Sequence, residues 1–518
     1  MRTIGLLLMF AALAGAQRPE RRTPPPPGGA ATPGPAPGAP AASAAEKKPP
    51  EEKTSRTQHT ARIGGQEVRY TATAGTLNLK KEDGAVTATM FYIAYTRDDV
   101  ADMARRPLTF SFNGGPGSSS VWLHLGALGP KRVLLKPDGY PTPPPYTLVD
   151  NEYSILDATD LVFIDPVSTG FSRAANEQEA KTFHGITGDL QSVADFIRLY
   201  ATRNERWASP KFLAGESYGT TRAAALSGYL QQNLGMNLNG IMLISTVLNF
   251  ETISFDPGND LPYVLFLPTY TATAWYHKKL PKDLQADRRR ALEEAQKFAA
   301  LEYNQALMKG AALTAPERAQ IVQKLARYTG LGAKFIDLSN LRVPIFAFTK
   351  ELLRDERRTV GRYDSRIVGI DANAASSYSE YDPSYATVQG PFTATWNQYV
   401  RAELKFDSDL PYEILTGRVR PWNYGEYQNR YVNVAGTLRQ AITQNPSLKV
   451  WVANGYYDLA TPYFATMYTF EHLGLDPTLR GNVGLGFYEA GHMMYTQLAS
   501  LEKLRKDLGG FIAGALAK

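Results

Sequence analysis

Short apolar runs alternate with segments of helical spacing in two parts of the chain, residues 57–250 and 426–518. Unbroken apolar runs of roughly four to eight residues are typical of strands buried on both faces, and amphipathic segments between them predict helices that cover a parallel sheet. We therefore predict an α/β fold with a doubly wound, mostly parallel sheet. The predicted strands are 68–72, 88–95, 108–112, 160–166, 212–214, 240–245, 448–452 and 485–488.

Helices are predicted between these strands at 189–203, 222–230 and 430–444. Between 251 and 425 the alternation of strands and helices breaks down. Residues 283–328 have the composition of helices, whereas residues 363–391 show little periodicity. We predict that 251–425 form a largely helical cap inserted into the sheet domain. Such a cap would shape a ligand pocket, and the alternative is a stabilising excursion with no ligand role.

The first 16 residues have the pattern of a secretory signal, because Arg2 precedes an apolar run at 4–13 and the small residues A-G-A at 14–16. An uncleaved anchor is the alternative. Residues 17–56 are predicted to be a disordered linker, since 11 of the 34 prolines lie within 17–50. No later apolar stretch approaches the roughly 20 residues that span a bilayer. We therefore predict an exported protein, periplasmic or extracellular, without stable membrane insertion once the signal is cleaved.

Charge and cysteine content exclude several classes of function. The formal net charge is +6, but beyond residue 56 the 48 Lys and Arg nearly balance the 46 Asp and Glu. A nearly neutral folded part gives no support for binding to nucleic acid. The chain has no cysteine, which excludes disulfides, thiolate metal sites and cysteine catalysis.

A candidate nucleophile lies between a predicted strand and a predicted helix. The sequence G-E-S-Y-G at 215–219 fits a nucleophile elbow, in which glycines allow a sharp turn and Ser217 stands exposed. In a chain with 43 glycines this motif alone is weak, so the interpretation depends on partners elsewhere. A glycine-rich loop, N-G-G-P-G-S-S-S at 113–120, follows an earlier strand and suits an oxyanion hole. An ordinary glycine turn is the alternative.

Asp458 and His492 each follow a late predicted strand, at the edge of the sheet where α/β proteins place their sites. The chain order Ser217, Asp458, His492 is the one expected for this architecture. Of the six histidines, only His492 lies in a short glycine-flanked loop after a late strand. Asp476 and Glu489 are alternatives for the acid. A Ser-His-Asp set requires neither a metal nor an organic cofactor.

These motifs resemble the serine carboxypeptidase family, and the chain is similar to a bacterial-type secreted member with an α/β-hydrolase fold. The resemblance implies Ser217 as nucleophile, His492 as base and Asp458 as the acid that orients the base. The N–H groups of Gly115 and Tyr218 would form the oxyanion hole. The matching motifs are the glycine loop at 113–120, L-G-P at 128–130, G-F-S at 170–172, G-E-S-Y-G at 215–219, N-G-Y-Y-D at 454–458 and G-H-M at 491–493.

The resemblance also implies a site for the C-terminal carboxylate of a peptide. In the family this group is bound by the Asn that opens the glycine loop and by the Glu before the nucleophile, here Asn113 and Glu216. Two carboxylates repel each other, so Glu216 can bind the substrate only when one of the pair is protonated, which predicts peptidase activity at mildly acidic pH. Met493 would line the pocket for the leaving residue or, alternatively, belong to the apolar core. Many family members carry a second Glu where this chain has Ala127, and this departure leaves the substrate class open.

The predicted function is a serine-type carboxypeptidase that hydrolyses the C-terminal bond of peptides with a free carboxylate through an acyl-enzyme on Ser217. A serine esterase and an acyltransferase with the same triad are alternatives, and a non-catalytic exported binding protein is a further one. Two other departures from the family pattern are Ser118, where a cysteine is common, and D-P at 165–166, a shortened form of D-Q-P. The sequence offers no interpretation of the second departure.

Overall fold

The computed structural model describes residues 50–517. The strands in this range are β1 (Thr54–Ile63), β2 (Gln66–Lys80), β3 (Val86–Arg97), β4 (Leu108–Phe112), β5 (Lys131–Val133), β6 (Leu148–Asp150), β7 (Asp160–Ile164), β8 (Arg173–Ala174), β9 (Lys211–Glu216), β10 (Gly240–Ile244), β11 (Thr359–Val360), β12 (Val368–Gly369), β13 (Lys449–Gly455) and β14 (Val483–Tyr488). Ten of them form one sheet in the order β1-β2-β3-β7-β4-β9-β10-β13-β14, with β8 paired to β3. Every run predicted as a strand overlaps a strand of this sheet.

Six neighbouring strands of the sheet, from β7 through β4, β9, β10 and β13 to β14, run parallel. At the other edge β1, β2 and β3 form an antiparallel meander, which joins the parallel part through an antiparallel pairing of β3 with β7. Parallel neighbours need crossover connections, which explains why helical segments separate these strands in the chain. The predicted α/β fold with a mostly parallel sheet is confirmed.

Helices cover both faces of the sheet. In the described range they are α1 (Val121–Leu123), α2 (Glu177–Phe183), α3 (Ile186–Arg203), α4 (Tyr218–Leu234), α5 (Leu261–Tyr276), α6 (Lys282–Gln285), α7 (Arg288–Phe298), α8 (Asn304–Lys309), α9 (Ala315–Thr329), α10 (Ala333–Leu338), α11 (Ile345–Glu351), α12 (Pro383–Ala402), α13 (Ala435–Gln444), α14 (Tyr463–Glu471) and α15 (Leu498–Leu516). Apolar residues of α3, α4 and α13 pack on one face, and those of α1, α12 and α15 pack on the other. Strands covered on both sides need no polar face, which accounts for their unbroken apolar runs.

The segment inserted between β10 and β13 divides into two parts. Helices α5 to α11 pack around a hydrophobic core of their own, in which Phe266, Tyr270 and Phe348 are buried. The long helix α12 instead contributes Phe392 and Trp396 to the core on one face of the sheet. The cap predicted for 251–425 therefore includes a helix that belongs to the core of the sheet.

Several boundaries differ from the predictions, and three of the differences have a clear cause or bear on the site. β1 begins at Thr54, inside the segment predicted as linker, because residues 54–56 pair with residues 73–75 of β2. The helix predicted from residue 430 begins at Ala435. Helix α12 begins at Pro383, in a segment predicted to have little periodicity, because Pro391 lowers its helix propensity while burial of one face stabilises it.

The predicted signal at 1–16 and the predicted linker as far as residue 49 lie outside the described residues. Within residues 50–517, no helix is both long enough and apolar enough to cross a membrane.

Candidate active site

Strand β9 and helix α4 meet at Ser217 in a tight turn. Ser217 has a φ of 60° and a ψ of −129°, a conformation that residues other than glycine rarely adopt. Its N–H donates to the carbonyl of Ile244 at 3.0 Å, which attaches the turn to the end of β10. Between residues 211 and 228, Ser217 alone is not buried. The turn therefore presents this hydroxyl at the carboxyl end of the sheet.

Three glycines allow the turn to pack closely against its surroundings. A Cβ atom added at Gly215 would lie 2.2 Å from the carbonyl oxygen of Gly219, and one at Gly219 would lie 2.9 Å from that of Phe112. A Cβ atom added at Gly114 would lie 2.4 Å from the nitrogen of Tyr218. All three distances are shorter than normal van der Waals contact. Glycine is therefore required where β9, α4 and the glycine loop approach one another.

The glycine loop and the first turn of α4 offer two free backbone donors. Within residues 50–517, neither the N–H of Gly115 nor that of Tyr218 donates a hydrogen bond. Arg222 of α4 donates to the carbonyl of Asn113 at 2.7 Å and forms a buried ion pair with Asp189 at 2.8 Å. The hydrogen bond fastens the loop to α4, and the ion pair joins α4 to α3. The two donors thus lie on segments in direct contact, as an oxyanion hole requires.

Asp458 and His492 form a buried hydrogen bond just beyond β13 and β14. Nδ1 of His492 lies 2.8 Å from Oδ2 of Asp458. The carboxylate also accepts from the N–H groups of Ala460 and Thr461, at 2.7 and 2.9 Å, and from the Thr461 hydroxyl at 2.7 Å. These donors satisfy the carboxylate oxygens and fix the group in its orientation toward the imidazole.

The two alternatives for the acid lie elsewhere. Asp476 caps a turn at the surface, and Glu489 forms an exposed ion pair with Arg288. Asp458 is thus the carboxylate in contact with the imidazole of His492. Within residues 50–517, no group of three or more His, Asp and Glu side chains is arranged to hold a metal ion.

Opposing effects set the charge state of His492. Burial lowers the pKa of the imidazole, but the charge and hydrogen bond of Asp458, together with the nearby Glu216, raise the pKa above its ordinary value. The raised pKa means that the imidazole is protonated at a higher pH than a free histidine.

Ser217 and His492 are both attached to the carboxyl end of β10. The N–H of Ser217 donates to Ile244, the last residue of that strand. The hydroxyl of Ser245, the next residue, donates to the carbonyl of His492. The end of one strand therefore connects the candidate nucleophile and the candidate base, which are far apart in the chain.

A buried carboxyl, Glu216, lies beside these groups. Burial raises its pKa to about 7, although the nearby His492 and a 2.6 Å hydrogen bond from the Tyr495 hydroxyl oppose the increase. Oδ1 of Asn113 accepts from the N–H of Leu123 at 3.1 Å. Nδ2 of Asn113 lies near Glu216, but within residues 50–517 it makes no hydrogen bond of normal geometry. A buried donor without a partner is costly, so this amide suits an acceptor supplied by a ligand.

Met493 is half-buried and packs against the hydrophobic core on the α12 face of the sheet. This contact agrees with the core role that was one of the two expectations. A place for Met493 in a substrate pocket stays a prediction.

Asp165, the first residue of the D-P sequence at 165–166, is bonded to the glycine loop. The buried carboxyl of Asp165 accepts from the N–H and from the hydroxyl of Ser120, both at 2.8 Å. Burial raises the pKa of Asp165 to about 6, and the hydrogen bonds from Ser120 oppose that increase. Asp165 therefore fastens the far end of the glycine loop to the end of β7.

A segment of the insertion, residues 361–367, contacts the histidine loop. The carbonyl of Tyr363 accepts from the N–H of His492 at 2.5 Å. The two rings lie beside each other, with their centroids 5.1 Å apart. A Cβ atom added at Gly491 would lie 2.2 Å from the Tyr363 carbonyl oxygen, so glycine is required for this contact.

The 361–367 segment also holds the loop that carries the candidate acid. Leu459 donates to the Arg362 carbonyl, and Ser365 donates to the Tyr457 carbonyl, each at 3.0 Å. Sequence analysis missed this segment because its contacts use backbone atoms, which leave no side-chain motif. It also missed Tyr495, for which no sequence signal was available.

A Ser, an Asp and a His at the carboxyl edge of a doubly wound sheet are the arrangement found in the α/β-hydrolase class. The model of the serine carboxypeptidase family matches residues 64–482 of this chain. The chain therefore belongs to the serine carboxypeptidase family.

Individual relatives match over shorter stretches. The pheromone-processing carboxypeptidase KEX1 of Coprinopsis cinerea is 32% identical over 162 residues, which is 30% of this chain and 24% of that protein. The lysosomal protective protein of Mus musculus is 28% identical over 178 residues, which is 34% of this chain and 32% of that protein. These alignments thus span about a third or less of the relatives' length. The solved structure of Kex1(delta)p, a prohormone-processing carboxypeptidase from Saccharomyces cerevisiae, has a TM-score of 0.54 at 18% identity and covers 86% of this chain and 92% of that chain. This similarity confirms the α/β-hydrolase fold.

Proposed function

We propose that the protein is a serine carboxypeptidase that releases the last residue of peptides with a free C-terminal carboxylate. The observation that carries this proposal is the buried carboxyl of Glu216, with its pKa raised to about 7, beside the hydrogen-bonded pair of Asp458 and His492. A carboxyl that is protonated near neutral pH can donate a hydrogen bond to a substrate carboxylate. Hydrolysis of a simple ester has no need of such a group.

In the proposed mechanism, Ser217 attacks the carbonyl of the last peptide bond while His492 accepts the proton of the hydroxyl. Asp458 holds the imidazole in the required tautomer and stabilises the imidazolium. The N–H groups of Gly115 and Tyr218 stabilise the oxyanion, and the loss of one such donor typically costs about 3 to 4 kcal/mol. His492 then protonates the leaving amine, and water hydrolyses the acyl-enzyme on Ser217.

The substrate carboxylate is proposed to accept from Nδ2 of Asn113 and from protonated Glu216. Above the pKa of Glu216 the ionised carboxyl repels the substrate, so hydrolysis of a free acid decreases as the pH rises. At low pH His492 is protonated and cannot act as base. Part of the increase in the pKa of His492 comes from the charge of Glu216, so protonation of Glu216 leaves the imidazole easier to deprotonate. We therefore expect a mildly acidic optimum for free acids and a higher optimum for amides and esters.

A serine esterase or acyltransferase on the same triad is a second candidate, and Ala127 favours it. This residue is buried, and no second acidic side chain takes its place in the turn His124–Leu128. We further propose that the protein is exported to the periplasm or beyond the cell, from the signal pattern at 1–16.

The proposal is tested with an N-blocked dipeptide and its C-terminal amide, from about pH 4 to about pH 8. We expect the free acid to be cleaved faster at low pH, and Ser217→Ala to lose roughly 10⁴-fold to 10⁶-fold in kcat. A serine-directed phosphonate should label the wild-type protein but not this variant. Ser227→Ala is the matched control, because Ser227 lies in the same helix and its hydroxyl donates to the Ala224 carbonyl at 2.7 Å.

Other outcomes would contradict the proposal. Cleavage of the amide or of an ester as fast as the free acid at every pH would favour an esterase. Partitioning of the acyl group to an added hydroxyl or amine acceptor would favour an acyltransferase. Absence of labelling at Ser217 would revive the non-catalytic alternative.

A further inference from the structure

Tyr495 contacts the candidate site, but the mechanism above gives it no role. Its hydroxyl donates to Oε2 of Glu216 at 2.6 Å, and the side chain is buried. One of the two carboxyl oxygens of Glu216 is therefore occupied by the phenol. Oε1 remains as the oxygen that can face a substrate. A hydrogen bond of this kind is strong where no water competes for either partner.

The ring of Tyr495 packs against the backbone at Gly126. A Cβ atom added at Gly126 would lie 2.4 Å from Cε2 of the Tyr495 ring, so the ring fits directly against the backbone of the turn His124–Leu128. That turn carries no acidic residue. Tyr495 is thus the polar side chain that reaches Glu216 from this side of the site.

Several titratable groups act on Glu216 from the elements around it. His492, Asp458 and Tyr495 influence its ionisation, and its charge in turn influences Tyr363 of the 361–367 segment. Of these groups, His492 and Asp458 belong to the candidate triad and Tyr363 bonds to the histidine loop through its backbone. Tyr495 is the group whose side chain is hydrogen-bonded to Glu216 itself.

We propose that Tyr495 is a positioning residue for the recognition of the substrate carboxylate. Its hydroxyl holds Oε2 of Glu216, so that the other oxygen presents its proton to the C-terminal carboxylate of the peptide. This inference rests on the proposed carboxypeptidase function. Because a phenol is neutral, it orients Glu216 without adding a second negative charge beside the substrate. Since its hydrogen bond favours ionised Glu216, Tyr495 also sets the pH above which free acids are no longer bound.

The test compares Tyr495→Phe with the wild-type protein on an N-blocked dipeptide and on its C-terminal amide, across the same pH range. We expect kcat/KM for the free acid to decrease about tenfold, mainly through KM, while that for the amide changes less than about twofold. We also expect the alkaline limb of the free-acid profile to move to higher pH, because the pKa of Glu216 rises when its donor is removed.

Tyr399→Phe is the matched control. It removes a buried hydroxyl from the core on the same face of the sheet, where Tyr399 is hydrogen-bonded to the hydroxyl of Tyr95 at 2.9 Å. This control should leave kcat/KM for both substrates, and the pH dependence of each, unchanged. In the background of Glu216→Gln, which cannot ionise, Tyr495→Phe should not shift the alkaline limb. The fraction of each variant that a serine-directed phosphonate labels gives the concentration of folded active sites, by which the rates are divided.

An equal decrease on both substrates, or an alkaline limb that does not move, would overturn the inference and leave the proposed function intact. Loss of phosphonate labelling in Tyr495→Phe would also overturn it, because the hydroxyl would then be needed for folding rather than for recognition. A wild-type protein that cleaves no free acid at any pH would overturn the proposed function and the inference together.

Discussion

The two halves of the candidate site are held in different ways. Ser217 and the glycine loop follow β9 and β4, and these strands pair directly, with Gly215 opposite Phe112. Asp458 and His492 follow β13 and β14, but their loops are also bonded to the 361–367 segment of the insertion. The sheet and α4 fix the turn at Ser217. The glycine loop is bonded to another part of the insertion as well, because Ser119 donates to the Ile414 carbonyl at 3.1 Å and Thr416 donates to the Gly117 carbonyl at 2.9 Å. The acid-base half depends on the sheet and the 361–367 segment together.

This difference gives the insertion a role beyond covering a pocket. Loops open locally at a lower free energy than the strands of a core. If the 361–367 segment detaches from the histidine loop, the base loses a backbone contact while the sheet stays folded. The acid-base half should therefore be open to disabling without unfolding of the protein, whereas the turn at Ser217 should not.

The largest effect is expected from Gly215→Ala, which should disrupt the nucleophile half and the fold together. The added Cβ would lie 2.2 Å from the backbone oxygen of Gly219, in a turn that two elements fix. We expect the free energy of unfolding to decrease by about 3 kcal/mol and phosphonate labelling to be lost. Denaturant unfolding measures the first quantity. Gly436→Ala, where an added Cβ meets nothing within 4 Å, is the control. Full labelling at wild-type stability would show that the turn tolerates the change.

A smaller effect on stability, but a clear effect on activity, is expected from Gly491→Ala. Here the added Cβ would lie 2.2 Å from the carbonyl oxygen of Tyr363, so the 361–367 segment must move away from the histidine loop. We expect kcat/KM to decrease roughly 100-fold for the free acid and the amide alike, because the base is displaced. The free energy of unfolding should decrease by only about 1 kcal/mol. Gly481→Ala, with open space around it, is the matched control. A loss of stability as large as that of Gly215→Ala would remove the distinction between the two halves.

The nucleophile half could be predicted from the sequence because its signals are local. An apolar strand, two glycines around Ser217 and a helix all lie within residues 211–234, and each has a direct structural cause. The same holds for Asp458 and His492, since each follows a short strand.

The support of the acid-base half could not be predicted in this way. The 361–367 segment binds through carbonyl and N–H groups, which every residue carries, and its partners lie about a hundred residues further along the chain. Helix α12 was missed because Pro391 suggests a break, whereas packing of Trp396 against the sheet decides the outcome. Tyr495 was missed because a tyrosine after a histidine has no meaning until Glu216 is seen beside it.

The smallest effect is expected from Asp364→Asn, which tests whether side chains of the 361–367 segment matter as well as its backbone. The Asp364 carboxylate accepts from the N–H of Gly491 at 3.2 Å and pairs with Arg366, which donates to the Glu489 carbonyl at 2.6 Å. The amide keeps the shape and one acceptor but loses the charge, so we expect kcat/KM to decrease about fivefold for both substrates. Asp260→Asn removes the carboxylate of an ion pair in the helical part of the insertion and should leave kcat/KM unchanged. If Asp364→Asn also left kcat/KM unchanged, the backbone hydrogen bonds alone would hold the histidine loop. Any decrease in kcat/KM in Gly491→Ala would then be due to the loss of those backbone bonds.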